Sequence, residues 1–141
     1  HRVKNNLQVI SSLLNLQKRR QNNEVTIQML NSIQNRIQTM ALVHENLHRS
    51  GDVDCVNASN YIGNLINYLL STFQAEINPI EIHVDVDKNI ELLLEKIILI
   101  GLIINEGISN AFKYAFIFVK ICIYFKENMH LYAFCIHIKR T

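Results

Sequence analysis

Apolar residues at heptad spacing in the first fifty positions constrain this chain more than any other feature. Val3, Leu7, Ile10 and Leu14 recur at intervals of four, three and four, a seam that a helix brings to one side. Val9, Leu13 and Leu16 form a second stripe about 120° round the same helix. A helix with two seams needs two neighbours. The polar tract at 18–23 interrupts the pattern, and Ile27, Leu30, Ile33, Ile37, Met40, His44 and Leu47 then resume it. Two such helices joined by a short polar turn make an antiparallel hairpin. Its apolar surface exceeds what the partner helix can cover, so a homodimer with a four-helix bundle completes it.

The rest of the chain changes period. Gly51 and Asp52 end the hairpin, and Asn57 or Ser59 is placed to cap a third helix. That helix carries Tyr61, Ile62, Leu65, Ile66, Leu69, Leu70 and Phe73, and Asn78-Pro79 closes it. Ile80, Ile82, Val84 and Val86 alternate with Glu81, His83, Asp85 and Asp87, the pattern of a half-buried strand. Residues 91–116 read as one long, mostly apolar helix. Val119, Ile121, Ile123 and Phe125 alternate again, with a turn at Glu127-Asn128 and a returning strand over 129–138. Helices first and strands mixed with helices afterwards is an α+β arrangement. It divides into a helical hairpin at 1–50 and an α+β sandwich layer at 51–141.

Composition excludes several classes. With 49% hydrophobic and 18% charged residues, the 141-residue chain is not a disordered tail. A net charge of +2, without a basic stripe interleaved with aromatics, argues against nucleic acid. The basic cluster Lys18-Arg19-Arg20 falls where a helix ends, and there it complements the dipole. Cys55, Cys122 and Cys135 form no CxxC pair, so a reducing, cytoplasmic setting is expected. The longest apolar run, 97–104, falls short of the about 20 residues a membrane span needs. No signal peptide opens the chain. It starts at His1 without methionine, which points to an excerpt of a longer protein whose N-terminal region could carry a membrane attachment.

His1 falls on the polar side of the first helix, near Lys4, Asn5, Gln8 and Ser12 and away from both seams. A histidine that receives and passes on a phosphoryl group needs that exposure, and a neutral imidazole at cellular pH. Position alone fits an ordinary exposed first residue better, since exposed histidines are common. The string HRVKNNLQVISSLLNLQ resembles the phospho-acceptor box of the subgroup-2 sensor histidine kinases, HRxKNNLQ followed by aliphatic heptads. The resemblance implies that His1 is autophosphorylated. It also implies that Arg2, Lys4, Asn5 and Asn6 orient the phosphate or the approaching nucleotide domain. The position just before the histidine, where the family usually has an acidic residue, precedes the first residue of this sequence.

His44-Glu45-Asn46-Leu47-His48 also fits HExxH, in which two histidines one turn apart bind zinc and the glutamate activates water. His44, however, occupies a seam position, and only Glu76 offers itself as a third ligand. The stretch ALVHENLHRS resembles the end of the second hairpin helix of the same kinases, so no zinc is expected.

Glu106, Asn110 and Lys113, at i, i+4 and i+7, project from one side of the long helix, where Leu99, Leu102 and Ile103 lie one turn earlier. An apolar stripe turning polar describes a face that leaves the core and enters a pocket; a solvated ladder of side chains has the same spacing. The run Asn105-Glu106-Gly107-Ile108-Ser109-Asn110-Ala111-Phe112-Lys113-Tyr114-Ala115-Phe116 resembles the N-box, NExxxNAxKYAF, of the histidine-kinase ATPase domain, a fold of the gyrase and heat-shock chaperone type. The resemblance implies ATP and Mg2+, with Asn110 on the metal, Glu106 at the reacting end, and Lys113 and Tyr114 at the phosphates. Gly107 replaces a usual large aliphatic residue at a helix-propensity cost of about 1 kcal/mol. The family's adenine-binding and lid segments are glycine-rich, but Gly107 is the last of the four glycines. The resemblance therefore covers the hairpin and a partial α/β-sandwich ATPase domain, and ATP binding by this chain is expected to be weak or absent. It implies a sensor histidine kinase of a two-component phosphorelay, passing the phosphoryl group from His1 to an aspartate of a response-regulator receiver domain. The alternative is a non-catalytic dimerisation and phosphotransfer module.

Overall fold

The computed structural model describes residues 2–50, 55–73, 80–114, 118–127 and 130–140. The element order is α1 (Arg2–Arg19), α2 (Glu24–Ser50), β1 (Cys55–Asn57), α3 (Ala58–Phe73), β2 (Ile80–Asp85), β3 (Glu91–Leu93), α4 (Leu94–Lys113), β4 (Phe118–Glu127) and β5 (His130–Arg140). The molecule is α+β, with a helical hairpin first, as the hydrophobic periods require.

The two hairpin helices run antiparallel. Lys4 Nζ lies 3.7 Å from Glu45 Oε2, Gln34 Nε2 donates to Ser11 Oγ at 3.3 Å, and Lys18 Nζ donates to Asn31 Oδ1 at 3.0 Å. Backbone bonds from Arg20 to Gln17 and from Gln21 to Lys18 close the turn. Asn23 caps α2, its Oδ1 accepting the Thr26 N–H at 3.2 Å. Leu7 and Leu14 turn towards α2 and are half-buried. Val3 and Ile10 of the same seam are exposed, as is the whole second stripe of Val9, Leu13 and Leu16. One of the two neighbours that α1 requires is thus α2 of its own chain.

A core of α3, α4, β1, β3 and β5 also takes in the second half of α2. Val43 joins Tyr61, Ile62, Leu65, Leu69, Leu92, Ile97, Ile104, Ile108 and Ile136, all fully buried. Side chains from both sides of residue 50 therefore share one core. Helix α3 starts where Asn57 Oδ1 accepts the Asn60 N–H at 2.9 Å, which settles the choice between the two expected caps. The end of the third helix at Asn78-Pro79 lies outside the described residues.

The long helix expected over 91–116 is corrected at its start. Glu91–Leu93 is strand β3, antiparallel to β1 with Val56 opposite Leu92, and α4 begins at Leu94. Three residues are too few to show a two-residue period, and pairing with a segment far back in the chain overrides their helical preference. At the other end α4 stops at Lys113; residues 115–116 lie outside the described residues. The helix runs unbroken through Gly107.

The second sheet has the antiparallel order β2-β5-β4. Ile136 and Ile138 of the central strand enter the core, with Ile82 packed beside them. Val84, expected on the buried side of its strand, is 41% exposed, so the sheet covers only part of that face. Strand β5 runs on to Arg140, two residues beyond its expected end; Glu127 of the expected turn ends β4, while Asn128 and the expected first strand residue Met129 lie outside the described residues. No helix among the described residues is long and apolar enough to cross a membrane.

Candidate functional site

The acceptor string opens α1. Arg2, Asn5 and Asn6 are exposed, and Lys4 is half-buried against Glu45 of α2. His1 lies outside the described residues. The expected solvated face is therefore open at Asn5, Gln8 and Ser12, while Lys4 leans on the second helix. In the HENLH string His44 and Glu45 are half-buried. The side chains of Leu47 and His48, and Glu76 altogether, lie outside the described residues.

The residues of the string that resembles an N-box occupy three different environments. Asn105 is buried, with its Oδ1 accepting from Ser109 Oγ at 3.2 Å and its Nδ2 without a partner among the described residues. Glu106 turns to the hairpin and accepts from Arg36 Nε at 2.7 Å. That contact raises the Arg36 guanidinium above its already high ordinary value, since the carboxylate stabilises the charged form. Asn110 is exposed, and its carbonyl accepts the Tyr114 N–H at 3.0 Å where α4 ends. Lys113 and Tyr114 are exposed and border a cleft of about 980 Å³ with Lys18, Asn31, Asn35 and Tyr68. The structure thus brings Lys113 and Tyr114 together at one cleft, while Glu106 points elsewhere and Asn110 stays outside the lining.

The apolar stripe ahead of the N-box also needs correction. Leu99 is 62% and Ile103 51% exposed, so this face does not leave a core to enter a pocket. It lies outside the core along its whole length. The buried side of α4 is Ile97, Ile100, Gly101, Ile104, Ile108 and Ala111, a stripe with the same period turned away from it.

Sequence reasoning did not identify Arg36 as a partner of the N-box. One signal was available: Arg36 is a charge in the stripe Val25, Met29 and Ile33, which is otherwise apolar and exposed. Gly101 was missed as well. A Cβ there would strike Tyr61 Oη and stand 3.0 Å from Thr39 Cγ2, so glycine allows α3, α2 and α4 to meet at one point. Tyr61 Oη donates to the Thr39 carbonyl at 3.3 Å in that contact.

The acceptor end and the N-box meet α2 at separate levels. Lys4 contacts Glu45 and Glu106 contacts Arg36, nine residues of helix apart, or about 14 Å.

Comparison with known proteins gives a consistent result. The histidine kinase family HisKA_2 matches residues 1–73. The chain is 32% identical over 123 residues to "Sensor histidine kinase PdtaS" of Mycolicibacterium smegmatis, covering 82% of this chain and 23% of that protein. A protein of the same description from Mycobacterium tuberculosis is 33% identical over 116 residues, with the same coverage. The chain spans about a quarter of the length of these curated relatives. No solved structure shows a significant match.

Proposed function

The chain belongs to the histidine kinase family, and from that membership we propose that it is the acceptor and dimerisation part of a sensor kinase in two-component signalling. His1 receives the phosphoryl group on an imidazole nitrogen and hands it to an aspartate of a response-regulator receiver domain. Arg2, Lys4 and Asn5 follow His1 within about one helical turn of sequence and carry donors and positive charge, which suits an incoming phosphate. The observation that carries the reading is the acceptor string itself, opening a helix whose polar side is exposed at Arg2 and Asn5. The bare second stripe of α1 supports a homodimer, and a cytoplasmic location belongs to the same proposal.

The residues present fit only the phosphate end of an ATP site. Asn110 and Lys113 are accessible and carry an amide oxygen and an ammonium, the groups that would hold Mg2+ and the phosphates. ATP supplies the transferable phosphoryl group when bound. Nothing after Gly107 in this sequence supplies a glycine-rich adenine loop. The pairing of Glu106 with Arg36 favours the second reading, a non-catalytic phosphotransfer module that draws its phosphate from another chain.

Incubation with γ-labelled ATP separates the two. Acid-labile, base-stable label on this chain alone, lost in His1→Gln, supports an autonomous kinase. Label that appears only with an intact kinase of the same subgroup or a phosphorylated receiver domain supports the module. Absence of label in every mixture sinks both.

A further inference from the structure

We propose that Cys122 and Cys135 are a peroxide-responsive thiol pair that closes a reversible disulfide across strands β4 and β5. Thirteen residues separate them, in no CxxC spacing, so the sequence alone does not join them. Strand pairing does. The β4–β5 register runs from Phe118 opposite Lys139 to Glu127 opposite His130 without a bulge, and it sets Cys122 directly across from Cys135.

Register also fixes the type of pair. Glu127 and His130 face each other over a connection of two residues, which makes them a hydrogen-bonded pair. Hydrogen-bonded and non-hydrogen-bonded pairs alternate along an antiparallel ladder. Five steps from Glu127, Cys122 and Cys135 therefore fall at a non-hydrogen-bonded position. There opposed Cα atoms stand about 4.5 Å apart, within the range of about 4.4–6.8 Å that a disulfide spans. Ile136 and Ile138 take the core side of β5, so Cys135 belongs to its other side, half-buried and open to a small oxidant. The remaining positions offer no rival thiol. Asp85 faces Cys135 from β2, and Cys55 pairs with Leu93 in the separate two-stranded sheet.

Hydrogen peroxide is the oxidant class that the pair suits. One thiolate attacks a peroxide oxygen and becomes a sulfenic acid, while the O–O bond breaks and the other oxygen leaves as water after protonation. The second thiolate attacks that sulfur, forming the S–S bond and expelling hydroxide, which is protonated to a second water. Two thiols lose two electrons and two protons, and one peroxide becomes two waters. A small dithiol reverses the bond by exchange. In a reducing setting the pair rests as thiols and closes only under oxidation.

Peptide mapping of the full 141-residue chain tests this. Reduced protein is treated with hydrogen peroxide under native conditions, alkylated with N-ethylmaleimide and digested. Lys126 lies between the two cysteines, so trypsin releases them on separate peptides unless they are bonded. A linked pair two hydrogens lighter than the separate peptides should appear, with Cys55 alkylated, and dithiothreitol should undo it. The oxidised chain should melt about 5–10 °C above the reduced one, as closing a loop of this length implies. Cys122→Ser should remove both the link and the shift, whereas Cys55→Ser should keep both. Alkylated or sulfinic Cys122 and Cys135 without a link overturn the pair, as does a bond to Cys55 or to a second copy. A link that lowers the melting temperature overturns it too, because a bond made in the native register does not distort the strands. Should Cys122→Ser fail to fold by circular dichroism, the wild-type map and melting shift decide by themselves.

Discussion

At the scale of single residues, the contact among Gly101, Tyr61 and Thr39 decides how closely the helices meet. Tyr61 and Thr39 are fully buried, so neither can retreat from an added methyl group. Gly101→Ala gains about 1 kcal/mol of helix propensity yet should still destabilise the fold, because overpacking a closed site costs about 1–3 kcal/mol. Urea unfolding measures the net sign. Burial also pushes the Tyr61 phenol well above its ordinary value. A pKa raised in the folded state gives stability that is present below the unfolded value, about 10, and is lost as pH rises past it. Stability should therefore fall above about pH 10, and Tyr61→Phe should flatten that decline. Arg36→Gln should cost at most about 1 kcal/mol, since the pair with Glu106 is half-exposed. The Asn, Glu and Lys of the N-box were legible from spacing and string. The engagement of Glu106 was not, because its partner lies 70 residues back in the chain.

At the scale of elements, hydrophobic period located every helix, while capping and pairing set their ends. Asn57 performs two tasks: Oδ1 caps α3, and Nδ2 donates to the Lys88 carbonyl at 2.8 Å, tying the cap to the turn before β3. Asn57→Ala should cost about 1–2 kcal/mol. Asn57→Asp keeps the acceptor and loses the donor, so its denaturation midpoint should fall between alanine and wild type. An equal loss in both variants would mean that the tether, rather than the cap, holds this junction. The short strands β1 and β3 escaped the sequence because three residues carry too little periodic signal. Each is defined by the other, with Cys55 opposite Leu93 and Asn57 opposite Glu91.

At the scale of the molecule, the hairpin and the α+β layer meet in one core, with Val43 of α2 among the side chains of α3 and α4. The apolar residues left bare on α1 and α2 should make thermal stability depend on concentration, because association stabilises the folded chain by mass action. The melting temperature of wild type should rise with protein concentration, and Leu13→Glu should remove that dependence. The hairpin, its surplus apolar seam and the two strings that carry the family resemblance were legible in the sequence alone. Each is a pattern within a few helical turns, where spacing dictates which side chains share a face. Tertiary structure alone decided that α2 packs on α4, that Arg36 rather than solvent meets Glu106, and that Leu99 and Ile103 face outward. A helical period says which residues share a side but not which side turns inward; that depends on contacts between segments far apart in the chain.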